Sequence, residues 1–177
     1  SGGRVKLMEG ELSRHNIRAY ISQIYDDRWA KSQAIRMAKE EGIKRAADAD
    51  ATTGVVVMFG DAQHDIDEAR KAGAVAVYRC TDNAAVDADR IGADYYMTDY
   101  QTVEWQPDTR TLSFIDVAKG ERVKIENVVA AVFDYDGTLV NSQPAVLKSY
   151  GQGAVEIANE IGILQLLGGE GITYDIG

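Results

Sequence analysis

The chain has 177 residues, a hydrophobic fraction of 45% and a formal net charge of −9. Its size and apolar content suit one compact domain with a sizeable core and exclude a disordered composition. The acidic balance disfavours a nucleic-acid partner, which needs clustered Lys and Arg. It still admits a phosphorylated ligand, because a bound divalent cation can reverse the local sign.

Residues 4–24 carry Leu7, Met8, Leu12, Ile17, Tyr20, Ile21 and Ile24 at a roughly helical spacing that Gly10 weakens. No signal peptide is expected there. A better helix is predicted over 31–41, where Ala34, Ile35 and Ala38 share a face and Gly42 supplies a stop. Residues 55–59 are a continuous apolar run ending in Gly60-Asp61, the pattern of a strand buried on both faces. A short helix over 65–72, stopped by Gly73, leads to a strand over 74–78. Such a β-α-β unit implies a right-handed crossover and an α/β domain. Cys80 is the single cysteine. It allows neither an internal disulfide nor a cysteine zinc site, so a reducing, cytoplasmic compartment is expected.

Residues 93–98 form a short predicted strand, and 102–106 and 111–115 flank Pro107-Asp108-Thr109-Arg110, a turn between antiparallel strands. Residues 128–133 are the longest clean apolar run, too short to span a bilayer, so no membrane partner is expected. They make a second buried strand that runs straight into Asp134. Pro144 suits the first turn of a helix reaching about residue 161, though Gly151 and Gly153 weaken it. A glycine-rich loop over 168–171 precedes a last strand at 172–176. Trp29 and Trp105 read as packing residues.

Asp134-Tyr135-Asp136-Gly137-Thr138 places two carboxylates just past an apolar strand, where α/β sheets bind ligands. One carboxylate there can coordinate a cation and attack phosphorus. The other can protonate the leaving oxygen and later activate water. Gly137 lets the chain turn sharply, and Thr138 offers a hydroxyl to a phosphate oxygen. Gly60-Asp61-Ala62-Gln63-His64-Asp65 also follows an apolar strand. Asp61 and Asp65, four apart, can face one point, and such oxygen donors suit Mg²⁺. The ordinary reading of Asp65 is a helix cap, which leaves Asp61 unexplained. His64 lies within this segment and either touches substrate or is a solvated loop residue.

Residues 132–140 resemble the first motif of the haloacid dehalogenase superfamily, and 59–66, with Ala69 and Ala72-Gly73 beyond, resemble its fourth. The resemblance implies a Rossmann-like three-layer parallel sheet, bound Mg²⁺ and a phosphatase working through an aspartyl-phosphate. Asp134 would be nucleophile and Asp136 general acid and base. Asp61, Asp65, Asp134 and the Asp136 carbonyl would hold the metal. Lys31, at the start of its helix, matches the family's cation that neutralises the phosphoryl group, with Arg28 in reserve.

The motif order departs from the family's, since the metal motif precedes the nucleophile. Joining residues 171–177 to Ser1-Gly2-Gly3 on paper produces a strand that delivers a Ser followed by glycines, similar to the missing second motif. The expectation is therefore a circular permutant cut at that motif, with Ser1, Gly2, Lys31 and Gly137 binding phosphate and Ser13 as a rival to Ser1. Termini of a domain are often close, which makes such a cut sterically feasible. The expected organisation is one domain over 1–177. Residues 1–100 carry the lysine and metal motifs, 101–120 are a β-hairpin or connection, and 121–177 hold the nucleophile strand and following helix. The stretches after Asp134 and before Lys31 are too short for a large cap domain. An open site points to an exposed macromolecular phosphate, besides a phosphorylated small molecule, or to a cap from another subunit in a homo-oligomer. The rival expectation from another class is a non-catalytic metal- or phosphate-binding or assembly module.

Overall fold

A computed structural model describes residues 2–14, 18–25, 28–46, 53–80 and 91–139. The chain divides into two compact units, Ser1–Asp134 and Tyr135–Gly177. The first holds every helix and strand described below. Ser1, His15, the helix expected from Pro144 and the strand expected over 172–176 lie outside the described residues.

Helix α1 spans Gly2–Arg14 and is followed by a 3₁₀ turn at Arg18–Tyr20. The single helix expected over 4–24 thus ends earlier than the apolar spacing suggests. Helix α2 covers Lys31–Arg45. Gly42 does not stop it: a Cβ there would meet the Val129 carbonyl oxygen at 2.3 Å, so glycine allows the helix to lie against a strand. Strand β1, Val55–Gly60, leads to helix α3, Gln63–Lys71, and to strand β2, Val75–Arg79. Strands β3 (Tyr95–Met97), β4 (Glu104–Gln106), β5 (Thr111–Asp116), β6 (Glu121–Ile125) and β7 (Val128–Phe133) follow.

The fold is α/β. A four-stranded sheet runs in the order β3-β2-β1-β7, with every pair parallel. A second sheet, β4-β5-β6, is antiparallel. Alternation along β1 separates two cores. Val56 and Met58 pack with Ile35 of α2 and with Ile66 and Ala69 of α3. Val57 and Phe59 turn the other way and pack with Leu112, Phe114 and Ile125 of the antiparallel sheet. Among the described residues, then, helices cover one face of the parallel sheet and a β-sheet the other, where a doubly wound domain has helices on both.

The hairpin read around residues 107–110 is present, and it continues into β6. The strand expected over 111–115 is β5, and β6, which was not expected, adds a third strand to that antiparallel sheet. β6 escapes a search for apolar runs because Glu121, Arg122 and Lys124 are exposed, while Val123 is half-buried and Ile125 buried. β7 also differs from expectation. Among the described residues it pairs only with β1, and only Val128 is fully buried. Trp29 and Trp105 are both about half exposed, 44% and 49%, rather than packed inside. Among the described residues no helix is long and apolar enough to cross a membrane.

Candidate metal centre

The pairing of β1 with β7 places Phe59 opposite Phe133. Because the strands are parallel, the residues that follow each one emerge at the same edge of the sheet. The ladder continues one step further, with the Asp134 N–H donating to the Phe59 carbonyl at 2.9 Å. Asp61 emerges beside it. Asp65 arrives from the first turn of α3, where its Oδ2 accepts the Ala62 N–H at 3.0 Å and so buttresses the helix start. Asp65 is thus not the N-cap residue, which is Ala62, but braces the helix start from its N3 position while also joining the carboxylate group. Gly60 makes room for it: a Cβ at position 60 would lie 2.2 Å from the Asp65 Cβ and 2.6 Å from its Oδ2.

One oxygen from each of Asp61, Asp65 and Asp134 lies within 4.8 Å of the others. The Lys31 ammonium donates to Asp134 Oδ1 at 2.6 Å and also to Asp65 Oδ1. Asp65 is 1% exposed, Asp134 19% and Lys31 37%, so the lysine occupies the solvent side of the group. Burial pulls the Lys31 pKa down, but hydrogen bonds and charge from Asp134 and Asp65 outweigh it and the net shift is upward. Asp134 is also shifted upward. Burial is the main cause, the Lys31 hydrogen bond opposes it, and the Asp65 and Asp61 charges add to it. Three carboxylates against one ammonium leave an excess of negative charge in a partly desolvated site. An all-oxygen donor set of this kind fits a hard divalent cation rather than a thiophilic one.

The chain matches no family model, no curated protein and no solved structure.

Of the residues singled out from sequence, the structure brings Lys31, Asp61, Asp65 and Asp134 together. Arg28 is exposed in the turn before α2, and the ammonium that reaches the carboxylates is that of Lys31. Gly2 opens α1 instead of following a strand. Ser13 sits on the exposed side of the same helix, where its hydroxyl donates to the Glu9 carbonyl at 2.7 Å, so it is not at a strand end. Asp136, Gly137 and Thr138 belong to the second unit. There the chain turns as expected, with Gly137 at φ 78° and the Leu139 N–H donating to the Tyr135 carbonyl at 3.1 Å. His64 is exposed on the first turn of α3.

Two residues beside the site were not foreseen. Tyr100 meets Phe59 and Phe133 edge-on, each at 5.9 Å between ring centroids. Burial pushes its hydroxyl pKa up strongly, and the Asp61 and Asp134 charges push it further. Its place follows from the turn between β3 and β4, which no local pattern announces. The other is Glu68.

Proposed function

We propose that this chain is a Mg²⁺-dependent phosphotransferase, a phosphomonoester phosphatase that uses Asp134 as its nucleophile. In this reading its domain is like that of the haloacid dehalogenase superfamily, with the motifs in circularly permuted order. The observation that carries the reading is the Lys31 ammonium bonded to both Asp65 and Asp134 beside three convergent carboxylates. A site that only binds a cation gains nothing from a lysine held against its ligands. A site that must bring a phosphoryl dianion up to a carboxylate does need such a charge.

Asp61, Asp65 and Asp134 would hold the Mg²⁺, which when bound supplies charge neutralisation for the phosphoryl oxygens. An Asp134 carboxylate oxygen attacks phosphorus, and the bond to the leaving oxygen breaks. Lys31 balances the charge gathered around Asp134. Asp136, two residues along the chain, gives its proton to the leaving oxygen. It then takes one from the water that attacks the aspartyl-phosphate, which releases inorganic phosphate and restores Asp134. A phosphorylated small molecule or an exposed macromolecular phosphate would serve as substrate.

Hydrolysis of p-nitrophenyl phosphate with and without Mg²⁺ tests this. Asp134→Asn keeps the shape and loses the attacking anionic oxygen, so turnover should stop. Asp136→Asn should slow it by roughly 10²–10⁴-fold, and less for p-nitrophenolate than for an alkyl leaving group. Full activity in a folded Asp134→Asn variant would end the aspartyl-phosphate mechanism. An inactive wild type that binds Mg²⁺ would favour a non-catalytic binding module.

A further inference from the structure

Glu68 lies one turn beyond Asp65 on α3 and contributes no oxygen to the carboxylate cluster, yet it is buried. Its Oε2 accepts the Ser32 N–H at 3.0 Å, and its Oε1 pairs with the Lys71 ammonium at 2.7 Å. Ser32 is the second residue of α2, immediately after Lys31. The first turn of a helix presents N–H groups without intrahelical acceptors, and a Ser, Thr, Asp or Asn side chain at the N-cap usually accepts one. α2 has Ala30 at that position, whose side chain accepts nothing. The Ala30 carbonyl takes the Gln33 and Ala34 N–H groups at 2.9 and 3.1 Å. The Ser32 N–H is taken by the neighbouring helix instead. The carboxylate also lies at the positive end of the α2 dipole. One turn further on, Arg36 Nη2 donates to the Lys71 carbonyl at 3.0 Å, a second tie between the same two helices.

We propose that Glu68 is a positioning residue: by capping α2 from α3 it fixes where the Lys31 ammonium stands relative to Asp65 and Asp134. The contacts close a ring from Lys31 to Asp65, one turn along α3 to Glu68, across to Ser32, and back through one peptide bond to Lys31. A lysine stem is long and flexible. Its ammonium is well placed only if its Cα is, and the Glu68 cap holds that Cα in the frame that carries Asp65. The proposal rests on Lys31 being the charge that neutralises the phosphoryl group.

The test compares Glu68→Ala, Glu68→Gln, Lys31→Ala, Glu68→Ala/Lys31→Ala and Ala30→Ser/Glu68→Ala in p-nitrophenyl phosphate hydrolysis with Mg²⁺ and in thermal unfolding. Glu68→Ala should lower kcat on the order of 10-fold with KM little changed, since a misplacement of about 1 Å can cost up to 10²-fold. Glu68→Gln should recover most of the loss, because its amide oxygen still accepts the Ser32 N–H. The Glu68→Ala/Lys31→Ala variant should be no slower than Lys31→Ala alone. Ala30→Ser/Glu68→Ala returns a cap to α2 from its own chain, so it should regain Tm but not kcat. Recovery of both would reduce Glu68 to a helix cap, and a wild-type kcat in Glu68→Ala, or full additivity with Lys31→Ala, would also overturn the proposal. An inactive wild type, or a Lys31→Ala variant with wild-type turnover, refutes the phosphatase reading instead. Positioning is then decided by NMR of the Lys31 ammonium protons. Slowed exchange that persists in Glu68→Gln and is lost in Ala30→Ser/Glu68→Ala supports it, and slowed exchange in all three proteins overturns it.

Discussion

Gly60→Ala is the smallest change that should dismantle the site. The strand backbone at Gly60 is not among the left-handed positions, so alanine is conformationally allowed and the obstacle is the Asp65 side chain. The new Cβ would start 2.2 Å from the Asp65 Cβ. Ordinary contact between carbons needs about 3.5–4.0 Å, so one group must retreat by roughly 1.3–1.8 Å. β1 is hydrogen-bonded on both sides, by β2 and β7, and gives little. Asp65 on the first turn of α3 therefore moves. That shift far exceeds the tolerance of about 0.2 Å for a metal ligand, and it pulls Asp65 away from Lys31. Overpacking of this kind costs about 1–3 kcal/mol, and each kcal/mol lowers Tm by roughly 2–4 °C in a chain of this size. Calorimetric titration with Mg²⁺ should show affinity reduced by at least about 10-fold, in line with other disturbances of metal-site geometry. Asp65→Gly removes the clashing atoms, so Gly60→Ala should cost almost nothing further in that background. A Gly60→Ala protein that melts with the wild type and binds Mg²⁺ as tightly would refute the reasoning.

Gly10 lies inside α1 with open space where a side chain would go. Gly10→Ala should stabilise the protein by about 0.5–1 kcal/mol, read as a rise in Tm without change in Mg²⁺ binding. Hydrogen bonds from Lys71 and Ser32 hold the Glu68 carboxyl well below its ordinary 4.5, at about 2. A depressed carboxyl pKa stabilises the fold above the ordinary value and loses that effect as pH falls through the folded value. The Tm gap between wild type and Glu68→Gln should thus be constant above pH 4.5, narrow below it and close near pH 2; a gap that ignores pH would mean the charge is unimportant.

The strands that matter most were the easiest to read. Val55–Gly60 and Val128–Phe133 are unbroken apolar runs, and each delivers an aspartate where it ends. Their parallel pairing and the gathering of Asp61, Asp65 and Asp134 follow from that pattern, whereas Lys31 is singled out only through the resemblance to a known family. What stayed hidden depends on tertiary contact. Gly42 looks like a helix stop until α2 is seen lying on Val129. Glu68 is one charged residue among several on α3, and nothing local marks it as the acceptor for an amide on another helix. β6 hides its period-2 pattern behind three exposed charges. The reading of Ser13 fails because Leu12 and its neighbours form a helix, in keeping with their apolar spacing, so no strand delivers this serine.

Lys31 and Asp134 stand 103 positions apart, whereas β4, β5 and β6 are consecutive in the chain. Closing long loops is entropically costly and makes distant pairings slow. The antiparallel meander and the β1-α3-β2 unit can assemble from nearby segments, while β7 must find β1 across residues 61–127, about half of the first unit. Its pairing with β1 carries Asp134 up to Asp61 and Asp65, so this docking concentrates like charge, and Lys31 offsets only part of it. Any divalent cation held by the cluster binds the docked state alone. It would then act as a folding ligand, worth about 2.7 kcal/mol at one hundred times its Kd, and would hold β7 to the sheet.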